Sequence, residues 1–123
     1  MTREIKFRAW NMLSKTLEPV SSIDWIFDED EERIIPDVCT ESTKVAEKPI
    51  LMQYTGLKDK NGKEIYEGDI VKEGQFVMQV VWNEKMASFG LSRAEWTFMH
   101  YFGEASNPEN CEIIGNIHEN PEL

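Results

Sequence analysis

Closely spaced turn signals in the middle of the chain constrain its fold more than any other feature. Asn61-Gly62 is the strongest short signal for a β-hairpin, because both residues tolerate the positive φ angles of a type I′ turn. Glu67-Gly68-Asp69 marks a second turn, in which Asp69 can accept hydrogen bonds from nearby backbone N–H groups. Apolar runs at 50–54 and 70–71 flank these turns and predict short strands.

Candidate strands continue toward the C-terminus. Residues 75–82 alternate, and apolar residues on their second face indicate that both sides are partly covered. Residues 86–91 and 111–118 are also predicted to form strands. Residues 93–102 fit both a strand and a helix, and we favour a strand because aromatic residues are enriched in strands. Eight or nine short strands separated by turns predict a small β-barrel, a sandwich or a two-part β fold.

The N-terminal part predicts one more strand and an unusual hairpin. Residues 4–10 alternate, with Ile5 on the apolar face, and predict a half-buried strand. Two apolar runs, at 23–27 and at 33–35, flank five consecutive acids and predict a hairpin with a long charged loop. Pro36 is expected to end the second run.

The domain organisation follows from these elements. Residues 37–49 are polar, lack a clear period and are expected to form a mobile linker. We therefore expect an N-terminal part over 1–49, made of the strand, the acidic hairpin and the linker. A barrel-like body is expected over 50–123, and the two parts together are expected to form one compact unit of ordinary domain size.

The charge is concentrated in one segment. The chain has 13 Lys+Arg and 23 Asp+Glu, a net charge of −10. Residues 18–47 contain ten acids and two bases, and so carry −8, whereas the remaining 13 acids and 11 bases give −2. The overall sign argues against a protein that wraps duplex DNA through its phosphates. The acid run at 28–32 is typical of a solvated loop.

Targeting signals are absent from the sequence pattern. No apolar stretch approaches the ~20 residues that span a bilayer, so no membrane association is expected. The charged N-terminus does not resemble a signal peptide. We therefore expect a cytoplasmic protein, in which Cys39 and Cys111 stay reduced.

Three segments together resemble the YopX protein family, small proteins found mostly in bacteriophages and prophages of Gram-positive bacteria and their relatives. The segments are 3–10, 51–71 and 114–123. The resemblance implies no enzymatic activity and supplies no catalytic residue to transfer.

The motif residues that carry the resemblance are expected to be mainly structural. They are Phe7, Trp10, Gln53, Tyr54, Thr55, Gly56, Asp59, Asn61, Gly62, Tyr66, Gly68, Asp69, Gly115 and Asn116. The Gly68-Asp69-Ile70-Val71 turn also resembles the opening strand of SH3-like barrels. The expected fold is thus mainly β, either a small SH3-like barrel or a two-part β fold of eight or nine short strands.

Catalytic and metal sites find little support in the sequence. A thiol and an imidazole could act together as nucleophile and base, but Cys39 lies in an irregular segment and Cys111 opens a strand, where a buried thiol is usual. Neither the cysteines and histidines nor Asp59-Lys60-Asn61-Gly62 has the spacing of a zinc or calcium site. No nucleotide-binding motif occurs. We expect no enzyme activity, no metal and no cofactor.

Nucleic-acid binding is an alternative, because small β-barrels often bind single strands through a groove of basic side chains combined with aromatic side chains. The weak interaction candidates are Lys6, Arg8, Lys58, Lys60 and Lys63. Trp10, Tyr54 or Tyr66 could stack on bases, although the simpler interpretation places the aromatics in the core. An acidic mimic of DNA directed at a host DNA-binding protein is a further alternative.

The favoured function is a non-enzymatic binding module. The resemblance implies a phage or prophage accessory protein in the cytoplasm of the bacterial host, and we expect it to self-associate or to bind a phage or host protein. Exposed strand edges in so small a fold favour a homo-oligomer, because pairing covers unpaired backbone groups.

Overall fold

A computed structural model describes residues 4–40, 49–93, 102 and 107–122. The described residues form nine strands and one 3₁₀ turn. In chain order these are β1 (Phe7–Asn11), β2 (Thr16–Asp28), β3 (Arg33–Thr40), β4 (Ile50–Lys58), β5 (Glu64–Tyr66), β6 (Asp69–Glu73), β7 (Phe76–Asn83), β8 (Ser88–Ser92), the 3₁₀ turn (Pro108–Asn110) and β9 (Glu112–Asn116). The prediction of a mainly β fold with eight or nine short strands is confirmed.

The strands belong to two antiparallel sheets. One sheet has the order β3-β2-β1-β4-β5 and the other has the order β8-β7-β6-β9. The sheets do not close into a barrel, so the architecture is the two-part β fold among the expected alternatives. By its internal contacts the chain divides into an N-terminal unit, Lys6–Met52, and a C-terminal unit, Gln53–Leu123, which also includes Glu4 and Ile5.

The N-terminal unit begins with the β1–β2 hairpin. The turn is held by Asn11, whose Oδ1 accepts the backbone N–H groups of Leu13 at 3.0 Å and Ser14 at 3.2 Å. Strand β1 starts at Phe7, later than the alternation of 4–10 predicted. Ile5 was expected on the apolar face of that strand. It lies before the first residue of β1 and is 62% exposed.

Strands β2 and β3 form the predicted acidic hairpin, in a more regular form than expected. Asp28 pairs with Arg33, so only residues 29–32 form the turn. The expected end at Pro36 is wrong, because β3 continues through Pro36 to Thr40. Proline is tolerated there because β3 is the edge strand of its sheet and Pro36 needs no ladder hydrogen bond on its outer side. The first residues of the expected mobile linker are therefore strand, and 41–48 lie outside the described residues.

The C-terminal unit contains the predicted Asn61-Gly62 hairpin, but the turn type differs. Gly62 has φ +78°, whereas Asn61 has a negative φ, so the turn is not type I′. The N–H of Gly62 donates to the Asp59 carbonyl at 3.0 Å, and the N–H of Asp59 donates to the Lys63 carbonyl at 2.8 Å. This pattern is a three-residue loop in which only the glycine needs the left-handed conformation.

The four-stranded sheet carries the hydrophobic core of the C-terminal unit. The core residues are Ile65, Val71, Met78, Val80, Leu91 and Cys111, with Leu57, Phe102 and Ile113 packed against them. The alternation of β7 agrees with the prediction, since Met78 and Val80 are buried while Val77 and Val81 are half-buried on the other face. Strand β9 ends at Asn116, before the predicted end, and a turn follows.

The ambiguous segment at 93–102 falls almost wholly outside the described residues. Arg93 is not in a strand, Phe102 forms an isolated bridge, and 94–101 are not described. In the described part of the chain, no helix is long and apolar enough to cross a membrane.

Candidate functional site

The Asp59 side chain accepts hydrogen bonds from three backbone N–H groups. The residue is 6% exposed, and its Oδ1 accepts the backbone N–H groups of Asn61 and Lys63, each at 2.9 Å. Oδ2 accepts the N–H of Ile113 at 3.1 Å, which joins the turn to β9. Burial by itself would raise the pKa of Asp59. The hydrogen bonds from Ile113, Lys63 and Asn61 and the charge of Lys63 outweigh it and hold the pKa below its ordinary value.

The motif residues in β4 hold the second turn in place. The Gln53 N–H donates to Glu67 Oε1 at 2.9 Å, and the Glu67 N–H donates to the Gln53 carbonyl at 3.0 Å. The Thr55 hydroxyl donates to the Ile65 carbonyl at 2.8 Å. Gly56, with φ +88°, lies where the β4–β5 register shifts between Tyr54 and Lys58, so it forms part of a bulge.

The second turn is closed by Gly68 and Asp69. Asp69 is 1% exposed, and its Oδ2 accepts the Tyr66 N–H at 2.8 Å, as the sequence predicts for an acid at this position. The Gly68 N–H donates to the Val80 carbonyl at 2.9 Å, and the Gly68 carbonyl accepts the N–H of Ile117 at 2.9 Å. The turn thus bonds to two other segments of the C-terminal unit.

The last motif residues shape the turn after β9. Asn116 Oδ1 accepts the N–H groups of His118 at 2.9 Å and Glu119 at 3.0 Å. A Cβ atom on Gly115 would overlap the side chain of Asn120, which would have to move to admit it. The hydrogen bonds described above all lie within the C-terminal unit, where they hold its turns in place.

The lysine and arginine candidates are divided between the two units. Arg8 lies in β1 of the N-terminal unit, where its Nη2 is 3.9 Å from the sulfur of Met52. Lys6 is half-buried just before β1. Lys58, Lys60 and Lys63 are exposed around the turn of the C-terminal unit, and Lys60 Nζ is 3.6 Å from Glu112 Oε2.

The aromatic candidates for base stacking lie largely in the interior. Trp10 is 6% exposed and Tyr54 is 5% exposed. Tyr66 is half-buried, with its ring centroid 5.6 Å from that of Tyr54. The rings of Trp10 and Tyr54 are therefore too buried for a nucleobase to stack on them. These two residues supply no stacking surface beside the exposed lysines of the turn. Phe7, at the start of β1, is also half-buried.

The two cysteines belong to different units of the chain. Cys111 is buried, and its Sγ donates to the Asn107 carbonyl at 3.3 Å. Cys39 belongs to the N-terminal unit and His118 to the C-terminal unit, while His100 lies outside the described residues. Within the described ranges no disulfide bond joins the cysteines. Among those same residues, no cluster of three or more His, Cys, Asp or Glu could hold a metal ion.

A cleft of about 420 Å³ lies on one face of the four-stranded sheet. Ile70, Gln79 and Ser92 occupy one cross-strand row of its floor. Ile117 and Pro121 form the wall contributed by the C-terminal turn. Its described lining contains one ionisable group, Arg93, whose guanidinium lies 4.8 Å from the centroid of the Phe76 ring, so the lining offers no acid–base pair for catalysis.

The β2–β3 hairpin exposes several large apolar side chains. Directly opposite residues share a face, so one side of this ribbon is formed by a single apolar set, named here the apolar hairpin face. The set is Ile23, Trp25, Phe27, Ile34, Pro36 and Val38. Trp25 is 70% exposed, and Phe27 and Ile34 are each 60% exposed. Side chains of this size would ordinarily be buried.

The opposite side of the ribbon combines carboxylates with an apolar centre and is named here the acidic hairpin face. Its cross-strand pairs are Asp24 with Asp37, Ile26 with Ile35, and Asp28 with Arg33. A hollow of about 120 Å³ lies on this part of the unit, lined by Ile26, Ile35, Asp28, Asp37 and Pro49, among others.

These hairpin surfaces were not predicted from the sequence. The signal was present in the alternation of 23–28, where both odd and even positions carry apolar side chains. Such a strand is expected to be covered on both sides, yet Trp25 and Ile26, which face opposite ways, are both exposed. The missing information was that β2 extends past β1, whose described pairing with β2 covers only residues 16–19.

The fold and these surfaces define a small all-β protein with an exposed two-stranded arm and a motif-rich structural core. Comparison with known proteins identifies the family. The sequence matches the model of the family described as YopX protein over residues 6–123, so the chain belongs to the YopX family.

One solved structure similar to the chain is the crystal structure of protein EF1440 from Enterococcus faecalis. The TM-score is 0.61, the sequence identity is 25%, and 99% of each chain is covered. The comparison with curated proteins found no match.

Proposed function

We propose that the chain is a non-enzymatic binding module of a phage or prophage, and that it docks on another protein chain through the apolar hairpin face. The observation that carries the proposal is the exposure of Trp25, Phe27 and Ile34 side by side on that face. Aromatic side chains such as Trp25 are enriched at the centres of protein interfaces and contribute much of their binding energy.

The size of the surface supports the same function. The three side chains together expose on the order of 300–400 Å² of mainly apolar area. Patches of this size on a small protein are often functional. The patch is smaller than the roughly 800 Å² that each partner contributes to an interface of standard size. The surrounding polar residues of the ribbon would therefore form the rim of the contact.

The geometry of the ribbon gives a second reason for a partner. Residues 22–28 and 33–39 extend beyond β1 and, among the residues that the structure describes, pair only with each other. A two-stranded hairpin is marginally stable in water without packing on one face. A protein partner that covers Trp25 and Phe27 would supply this packing.

Affinity capture in the bacterial host tests the proposal. The tagged full chain, a Trp25→Ser/Phe27→Ser variant and a Met86→Ser control would be compared. Met86 is 61% exposed but lies in the C-terminal unit, so it controls for the loss of an exposed apolar side chain. We expect the wild-type chain and the control to retain a common protein that the hairpin variant does not retain.

Light scattering of the purified chains identifies the class of partner. A dimer at ~100 µM that the hairpin variant loses would make the partner a second copy of this chain, as the strand-edge argument predicts. A monomer would assign the partner to the phage or the host. Retention of the same proteins by all three chains, together with unchanged mass, would contradict the proposal.

A further inference from the structure

The cleft on the four-stranded sheet has the size and the mixed lining of a small-ligand site. Its volume of about 420 Å³ falls within the ~300–1,000 Å³ that such sites span. All of its described lining residues belong to the C-terminal unit, so the cleft is formed by one unit alone. The apolar part of this lining is Ile70, Val77, Met78, Ile117 and Pro121. These side chains can cover the apolar body of a ligand.

The floor of the cleft also carries two polar side chains that the fold does not use. Gln79 and Ser92 are directly opposite each other on β7 and β8, so their side chains lie together on one face of the sheet. Both residues are half-buried, and neither side chain forms a hydrogen bond with a residue that the structure describes. An amide and a hydroxyl side by side can both donate and accept hydrogen bonds. The floor therefore offers a ligand a paired hydrogen-bonding site.

The charge at the cleft is positive. Arg93 is the single ionisable residue of the described lining, and its guanidinium lies 4.8 Å from the centroid of the Phe76 ring. Stacking on an aromatic ring uses the flat face of a guanidinium, whereas its N–H donors lie in the plane of the group and match the two oxygens of a carboxylate. The cleft thus differs in sign from the chain as a whole, which has a net charge of −10.

The wall at the C-terminal turn is built by the fold. The N–H of Ile117 donates to the Gly68 carbonyl at 2.9 Å. The next two residues are held by Asn116, whose Oδ1 accepts the N–H groups of His118 at 2.9 Å and Glu119 at 3.0 Å. A wall that is already fixed reduces the ordering cost that a ligand must overcome. The cleft is therefore a preorganised site.

We propose that this cleft binds a small ligand that combines an apolar body, an amide and a carboxylate, which is the chemistry of an N-acylated apolar amino acid. The carboxylate would pair with Arg93, and the amide would hydrogen-bond to Gln79 and Ser92. The apolar side chain would lie on Ile70 and Ile117. The proposal does not rest on the apolar hairpin face, which belongs to the N-terminal unit.

Heteronuclear NMR titrations of the full chain test the proposal with three probes. The first is N-acetyl-leucine, the second is its uncharged amide, and the third is a serine-rich tetrapeptide that ends in leucine with a free carboxylate. The wild type would be compared with Arg93→Gln, Gln79→Leu and Lys85→Gln. Lys85 is exposed in the β7–β8 turn and is not in the described lining, so its variant is the control for the change in net charge. Gln79→Leu removes the amide and keeps a side chain of similar size.

We expect N-acetyl-leucine to bind with a Kd of about 1–10 mM and to shift the backbone signals of Gln79 and Ser92. Arg93→Gln should weaken binding about tenfold and Gln79→Leu about threefold, whereas Lys85→Gln should change it less than about twofold. Equal losses in Arg93→Gln and Lys85→Gln would overturn the proposal, because they would show attraction by net charge alone. Equal binding of the acid and its amide would overturn it as well, as would the absence of binding.

The tetrapeptide identifies the source of the ligand. Tighter binding of the tetrapeptide than of N-acetyl-leucine would assign the cleft to the C-terminus of a peptide, and equal or weaker binding would assign it to a small carboxylic acid. Either result supports the site. The Trp25→Ser/Phe27→Ser chain should bind all three probes as the wild type does, so failure of the cleft proposal leaves docking through the hairpin intact. Circular dichroism of each variant establishes that the fold is retained.

Discussion

Asp24 and Asp37 are paired directly across the β2–β3 ladder, and neither carboxylate forms an ion pair with a described residue. Such a pair weakens a hairpin by about 0.2–1 kcal/mol relative to neutral residues. We expect Asp37→Lys to raise the free energy of unfolding of the hairpin by roughly this amount or more, because it places opposite charges across the ladder. Urea titration at low salt measures the change, which should shrink at ~1 M salt. An unchanged or lowered stability at low salt would contradict the assigned register.

Two tryptophans in the same unit are expected to respond very differently to substitution. Trp25 is 70% exposed, so Trp25→Ser should change the free energy of unfolding by less than about 0.5 kcal/mol. Trp10 is 6% exposed, and Trp10→Ser should cost about 3–5 kcal/mol through the cavity it leaves. Thermal and urea unfolding of both variants measure the difference. A large loss for Trp25→Ser would mean that this side chain belongs to the core.

Gly62 is the one residue of its turn that must adopt a left-handed conformation, with φ +78°. We expect Gly62→Val to lower the free energy of unfolding by about 1–2 kcal/mol, because a β-branched residue is strained there. No heavy atom lies within 4 Å of the position a Cβ would take, so the loss comes from the backbone and not from a clash. Gly62→Asn is the matched control and should lose less, since asparagine tolerates this region. Equal losses for the two variants would refute the backbone explanation.

Asp59 should make the stability of the C-terminal unit depend on pH. Its folded pKa is lowered, so the unfolded chain binds the proton more tightly than the folded chain does. Its contribution is therefore complete above the unfolded value of about 3.9 and is lost as the pH falls through the folded pKa. Urea unfolding at pH 6 and at pH 3 or below, for the wild type and Asp59→Asn, measures this. We expect a difference of about 1–3 kcal/mol at pH 6 that narrows at low pH. A constant difference would contradict the assignment.

Local chemistry made much of the C-terminal unit predictable. The turns at Asn61-Gly62 and Gly68-Asp69 and the alternation of β7 depend on residues close in sequence, and these predictions agree with the structure. The turn type at Asn61 was not predictable in this way. It depends on Asp59, whose carboxylate also accepts the N–H of Ile113, 54 residues later.

The hairpin shows the limit of local patterns more clearly. Pro36 was expected to end its strand, but its tolerance depends on β3 being an edge strand, which is a property of the sheet order. The exposure of Trp25 depends on β1 being too short to pair along the whole of β2. The candidate binding surfaces follow from these long-range relationships, and so the residue types alone did not identify them.

Site-specific photo-crosslinking tests the central proposal, contact through the hairpin, most directly. A benzoyl-phenylalanine would replace Phe27 in one full-length chain and Phe76 in another, and both chains would be irradiated in the bacterial host. The two phenylalanines are 60% and 53% exposed, but only Phe27 belongs to the hairpin. We predict that the probe at position 27 is crosslinked to a discrete protein chain and that the probe at position 76 is not. The same crosslink from both positions, or a crosslink from position 76 alone, would contradict the account.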